Sequence, residues 1–384
     1  MAGDPHTNVL EALAGRGRLR ALTLTRGHDF TSNDYLALAE SAALQGAVTA
    51  ALARGVPLGA GGSRLLRGNH LEHEALEAEA AEFFGSEVAL FFPTGFAANA
   101  AIAATLPRRN DLIVHDALIH ASFRAGLDPE RVAIVQTPHN DVDAMQDAIT
   151  HWRSRGGRGR VWIAVETLYS MDGDRAPLAD LAALAARQDA MLILDEAHAT
   201  GVYGPEGRGL GAVLEGQENM ISLHTCGKAL GAMGALICLP RRMRDYMVNR
   251  SRSFIYSTAP SPLIAAAVRA ALKIAAGASQ ERTQLMGLVR HAGTLMQAHL
   301  GMAPTGSQIQ PILIGADAHA VAIAAALQAK GYDIRAIRPP TVPEGTARLR
   351  LSVTLHATPQ ILDALFADLA GEMKDVLRQP AVRQ

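Results

Sequence analysis

The sequence predicts an α/β protein: a mainly parallel seven-stranded sheet covered by helices on both faces, followed by a smaller C-terminal α/β domain. Three observations predict it. Short aliphatic or β-branched runs alternate with Ala/Leu-rich stretches of helical length; most of those runs are apolar at consecutive positions; and from about Ser261 the texture changes to longer helical stretches. Each parallel crossover needs a helix, and a strand that is apolar on both faces suits a sheet covered twice.

The strands expected of the sheet are, in order, Val88 to Phe92, Leu112 to Val114, Val132 to Val135, Val161 to Val165, Met191 to Leu194, Met220 to Leu223 and Ala235 to Leu239. They fill a large domain spanning residues 46–275. Ahead of it, residues 1–45 form an arm with a basic patch, Arg16, Arg18 and Arg20. Behind it, residues 276–384 carry the strands Gln310 to Ile314 and Arg348 to Val353 around the Pro-rich turn Arg338 to Pro343. No repeat or low-complexity linker interrupts the chain.

Composition narrows the function. The 36 Lys and Arg against 37 Asp and Glu give a net charge of −1, so nothing draws the chain to nucleic acid or an anionic membrane, and a small substrate is expected. Two cysteines in 384 residues, Cys226 and Cys238, exclude a disulfide framework and point to a reducing, cytoplasmic compartment. The first twenty residues lack the apolar core of a signal peptide, and no apolar stretch has the length of a membrane span.

The chemistry gathers where strands end, since open α/β sheets hold ligands at their carboxyl edge. Met191 to Leu194 runs into Asp195-Glu196-Ala197-His198, a string shared with a group of helicase-like ATPases. Those need a phosphate loop of the form G-x-x-x-x-G-K-[ST], and Gly227-Lys228 is followed by Ala229. The next strand leads into Thr225-Cys226-Gly227-Lys228-Ala229-Leu230-Gly231, which sets one lysine in a small-residue turn, 33 residues after Asp195. Pyridoxal 5′-phosphate (PLP) chemistry explains both, because it needs a lysine to form a Schiff base and a carboxylate to keep the ring nitrogen protonated. Thr94-Gly95-Phe96 opens an Ala-rich helix and reads either as a phosphate-binding N-terminus or as an ordinary helix start. His120 reads either as a ring that stacks on the pyridine or as a structural histidine. His70 and His73 lack an HExxH pattern and are expected at a solvated helix start, with no metal set.

Taken together, the Lys228 turn and the segment Asp195 to Gly201 resemble the α-oxoamine synthases, PLP enzymes of fold type I. The resemblance takes in Ser32-Asn33-Asp34-Tyr35-Leu36, Gly61-Gly62-Ser63-Arg64, Thr94 to Asn99, His120-Ala121-Ser122, His139-Asn140-Asp141, Ser170 to Asp174 and Ile255 to Thr258, nearly the whole chain in order. Arg67 departs from the pattern, which carries a small polar residue there. The family implies Lys228 as Schiff-base lysine and proton carrier, Asp195 as partner of the ring nitrogen, His198 as partner of the ring hydroxyl and His120 stacked on the ring. It implies cofactor contacts from Gly95, Phe96, Ser170 and Thr225, with Ser257 and Thr258 reaching the phosphate from the second subunit of a homodimer. Asn33 and Arg350 would hold an amino-acid carboxylate, and Arg20, Arg338 and Thr341 would face the acyl substrate, with Arg18 as an alternative to Arg20.

The stretch Ala336 to Pro343 with Gly345 to Arg350 most resembles the branch that joins L-alanine to a pimeloyl thioester. A sister enzyme using glycine and acetyl-CoA shares the lysine motif. A non-catalytic scaffold of the same fold would lose Lys228, which this chain keeps beside Asp195 and His198.

Overall fold

The computed structural model describes residues 4–214 and 216–377. The chain divides into two compact units, one made of Leu36–Ser170 and Arg175–Arg282, the other of residues 4–35, Met171–Asp174 and 283–377.

All seven expected strands form one sheet in the first unit: β1 (Val88–Phe92), β2 (Leu112–Asp116), β3 (Ala133–Thr137), β4 (Val161–Glu166), β5 (Met191–Asp195), β6 (Met220–Thr225) and β7 (Ala235–Leu239). Their order is β1-β7-β6-β5-β4-β2-β3. Neighbours from β6 to β3 run parallel, and β7 is antiparallel to both β6 and β1. Hydropathy ends five of these strands too early. The backbone ladder continues past the last aliphatic residue into Asp116, Thr137, Glu166, Asp195 and Thr225, at the sheet's carboxyl edge.

Alternate residues of one strand serve opposite layers. Trp162 and Ala164 face the layer that holds the helix Gly95–Thr105, whereas Val161, Ile163 and Val165 face the helices Val142–Ser154 and Leu178–Arg187. On that second side, the helices Leu71–Phe83 and Pro262–Gly277 cover the β1 and β7 end through Leu76, Ala80, Val268 and Ala271. Each buried Leu, Ile or Val in these layers contributes about 1.5–3 kcal/mol. The edge strand β3 is only partly covered.

The start of Leu71–Phe83 corrects the solvated position expected for His73, which is fully buried. Its Nδ1 accepts the His70 N–H at 3.2 Å, so Nε2 carries the proton and donates to the Pro260 carbonyl at 2.7 Å. A helix-capping imidazole thus ties the helix start to a segment distant in sequence.

In the second unit, Ile309–Gly315, Ala336–Ile337 and Ala347–Ser352 form an antiparallel sheet with Ala347–Ser352 in the middle. The helix Pro359–Leu377 buries Leu362, Leu365, Phe366 and Leu369, an i, i+3, i+4, i+7 stripe. Arg348 forms an ion pair with Asp172 of the short Met171–Asp174 segment. Among the described residues no single helix is long and apolar enough to cross a membrane.

A histidine of β6 is buried inside the first unit's core. His224 of β6 stacks on Phe84, with centroids 3.6 Å apart and planes 17° from parallel, and its nitrogens lie 2.9 Å from Thr200 Oγ1 and 2.8 Å from Ser222 Oγ. Burial pushes its pKa down to about 3. The folded chain therefore refuses a proton that the unfolded chain accepts near pH 6.5, and the stability held above that pH is lost as pH falls toward 3. From pH 7.5 to 5 the loss attributable to His224 should be about 2 kcal/mol. Urea unfolding at the two pH values should show it, and the pH dependence should be shallower in His224→Gln; equal slopes in both proteins would remove the assignment.

Candidate active site

A cavity of about 280 Å³ opens where the carboxyl ends of β4, β5 and β6 meet the start of the helix Gly95–Thr105. Glu166, Asp195 and Thr225, the last residues of their strands, line it, together with Gly95, Phe96, Asn99, His120, His198 and Lys228. Parallel register makes Glu166 and Asp195 direct neighbours.

Asp195 is buried and accepts two hydrogen bonds, from Asn99 Nδ2 at 2.6 Å and from the Ala197 N–H at 2.9 Å. Asn99 Nδ2 also lies 3.0 Å from Ser122 Oγ, which in turn lies 2.7 Å from His120 Nδ1. The Ser122 N–H donates to the same Nδ1, so His120 carries its proton on Nε2. Although His120 keeps a face open to the cavity, desolvation lowers its pKa; Asp195 opposes that shift and Lys228 adds to it. A neutral imidazole with Nε2–H results. Asn99 is the residue that sequence reasoning left without a role, and its signal was a lone amide in an otherwise apolar helix.

Lys228 sits in the loop between β6 and β7, closed by the Cys226 N–H to the Gly234 carbonyl at 2.9 Å and by the Gly231 N–H to the Lys228 carbonyl at 2.8 Å. Gly231 has φ of 61°, and a Cβ there would stand 2.4 Å from the Ala39 nitrogen, so only glycine fits the turn. The loop brings Lys228 Nζ to 2.7 Å from His198 Nε2. Glu196, between Asp195 and His198, does not line the cavity. Burial raises its pKa to about 7, while the Gly211 and Leu210 N–H groups and the Thr167 hydroxyl donate to it and fix the loop beyond Gly201.

These residues fit PLP. Lys228 can bind its aldehyde carbon and Asp195 its ring nitrogen. The N–H groups of Gly95 and Phe96, at the first turn of a helix, have no partner within that helix and suit its phosphate. A Cβ on Gly95 would meet Thr225 Cγ2 at 2.5 Å, so the helix start and Thr225 form a cradle with no room for a side chain. Two buried oxygens of lining residues, Asn99 Oδ1 and Glu166 Oε1, lack a hydrogen-bond partner among the described residues. Ser170 is buried just beyond β4 and donates its N–H to Glu166 Oε2 at 3.0 Å.

Other expected site residues lie elsewhere in the chain. Ser257 and Thr258 do not line the Lys228 cavity; with Arg64, Phe92 and Phe254 they border a separate small one. Within the C-terminal unit, Arg350 Nη2 donates to Asn33 Oδ1 at 3.0 Å and Nη1 to Ser352 Oγ at 2.8 Å. Arg20 Nη2 meets Thr341 Oγ1 at 3.2 Å, and Arg338 donates to the Gly17 carbonyl. Arg18 is instead engaged by Asp317 and Glu344.

Residues 26–367 match the family model of aminotransferase class I and II. The chain belongs to that family. Within it, the chain is 40% identical over 348 residues to an 8-amino-7-oxononanoate synthase of Anaeromyxobacter dehalogenans (strain 2CP-1), covering 90% of this chain and 86% of the relative. A Chromobacterium violaceum enzyme of the same name is 40% identical over 341 residues, 88% of this chain and 86% of the relative. Of solved structures, the 8-amino-7-oxononanoate synthase of Francisella tularensis superposes with a TM-score of 0.77 at 27% identity, over 91% of this chain and 98% of that one. A serine palmitoyltransferase from S. paucimobilis gives a TM-score of 0.89 over 98% of this chain and all of the other; at 23% identity it shares the fold. The chain is a PLP-dependent, acyl-transferring enzyme of fold type I.

The cradle at Gly95 predicts that Gly95→Ala, by displacing either the helix start or Thr225, weakens PLP binding to the apoenzyme about tenfold. Titration of the apoenzyme with PLP, followed by absorbance, measures it. Unchanged affinity would move the phosphate site away from this turn.

Proposed function

We propose that the chain condenses L-alanine with a pimeloyl thioester, of CoA or of a carrier protein, releasing carbon dioxide and the free thiol and forming 8-amino-7-oxononanoate for biotin synthesis. The observation that supports this most is the 40% identity over 90% of the chain to relatives named for that product, in a chain that keeps Lys228, Asp195, His120 and His198 around one cavity.

Bound PLP supplies a sink for the electron pair left on the alanine Cα when its bond to hydrogen, and later to the carboxyl carbon, is broken. In this reading Lys228 holds the cofactor between turnovers. Displaced by alanine, its amine takes the Cα proton and returns one after decarboxylation. Asp195 keeps the ring nitrogen protonated, and its tie to Asn99 fixes where the ring nitrogen must lie. His120 would stack on the ring, and His198 would serve the ring hydroxyl. Gly95, Phe96, Ser170 and Thr225 complete the cofactor contacts. Asn33 and Arg350 would hold the amino-acid carboxylate and so orient the Cα–H bond; orientation of this kind is worth up to about 7–11 kcal/mol in model systems. Arg20, Arg338 and Thr341 face the acyl chain, and Arg338 pairs with the distal carboxylate of a pimeloyl group.

Steady-state assays should show alanine preferred over glycine, and a pimeloyl thioester over acetyl, succinyl or palmitoyl thioesters. Arg338→Ala should raise KM for the pimeloyl thioester by about tenfold or more, the loss expected for one charged hydrogen bond, and leave KM for alanine nearly unchanged. A preference for glycine with acetyl-CoA would instead favour the sister reaction.

That Ser257 and Thr258 do not line the Lys228 cavity of their own chain supports a homodimer in which each copy completes the phosphate site of the other. Mixing Lys228→Ala with Thr258→Ala chains under subunit exchange should restore activity, because each hybrid holds one site free of both changes. An active monomer would overturn shared sites.

A further inference from the structure

We propose that Glu166 is an additional cofactor-contacting residue, a protonated carboxylic acid whose Oε1–H donates a hydrogen bond to the ring hydroxyl oxygen of bound PLP. Glu166 ends β4, is the register partner of Asp195 on β5, lines the same cavity and is 2% exposed. Its two oxygens are unequal: Oε2 accepts the Ser170 N–H at 3.0 Å, whereas Oε1 has no partner among the described residues.

An ionised carboxylate in that position would leave one buried oxygen uncompensated. Two further carboxylates face it, Asp195 from β5 and Asp116 from the end of β2, against the cation of Lys228 from the β6–β7 loop. Asp116 is occupied by His139 and by the Asn140 and Leu118 N–H groups, and His120 near Asp195 is neutral. Burial, and then Asp195, raise the Glu166 pKa to about 8, while Lys228 and the Ser170 N–H act the other way. At neutral pH the group therefore holds its proton. Because Oε2 is accepting, that proton belongs on Oε1, and a buried O–H without an acceptor in the chain calls for one in the cavity.

The cofactor offers few choices. With the ring nitrogen committed to Asp195, the nearest ring acceptor is the hydroxyl oxygen, one ring carbon removed, as Glu166 is one strand removed from Asp195. That oxygen has two lone pairs and accepts from both His198 and Glu166. The Ser170 N–H then positions the acid and selects which oxygen keeps the proton.

The inference concerns the cofactor and is independent of the acyl donor, so its test uses PLP and apoenzyme alone. Infrared difference spectra of apoenzyme with and without PLP at pH 7 should show a protonated-carboxyl stretch that shifts on binding and that Glu166→Gln lacks. Glu166→Gln, whose amide keeps a donor, should bind PLP as the natural chain does, and Glu166→Leu about tenfold more weakly. A missing carboxyl band in the natural chain, a band that PLP leaves unmoved, or natural affinity in Glu166→Leu would overturn it. If Glu166→Leu does not fold, the band and its loss in Glu166→Gln decide alone.

Discussion

The hydrogen bond from Asn99 Nδ2 to Asp195 Oδ2, 2.6 Å long between two buried side chains, is the constraint on which the site depends. It joins the helix after β1 to the end of β5, two elements 96 residues apart. Through Ser122 the same amide reaches His120, so one side chain orients both the carboxylate for the ring nitrogen and the imidazole for the ring face. A buried carboxylate needs such donors, because a polar group taken out of water without a partner costs about 1–3 kcal/mol or more.

The sheet makes that arrangement possible. Parallel neighbours deliver Glu166 and Asp195 to one edge as register partners, with Thr225 on the next strand at the same edge, while apolar layers hold the strands from both sides. The polar strand ends thus stand at the boundary of the core, where burial is nearly complete and a cavity is still open.

Much of this was legible in the sequence. Aliphatic runs located all seven strands, and the lysine in its glycine-flanked turn, taken with an acid one strand earlier, pointed to PLP. Glu166 and Asn99 were not legible as site residues, because their importance lies in which strand or helix stands beside them, and strand order cannot be read from hydropathy. The burial of His73 is hidden from the sequence for a related reason: its ring bonds to the Pro260 carbonyl, 187 residues away. The roles of Asn33, Arg20 and Thr341 came from resemblance alone, since a polar residue in a loop carries no periodic signal.

Ser170 closes a stretch of the large unit, and the next four residues belong to the other unit, with Asp172 paired to Arg348, before the chain returns at Arg175. The chain therefore changes units four times. No single cut separates the two units, and a contiguous fragment chosen to contain one complete core always carries a foreign loop or lacks a native one.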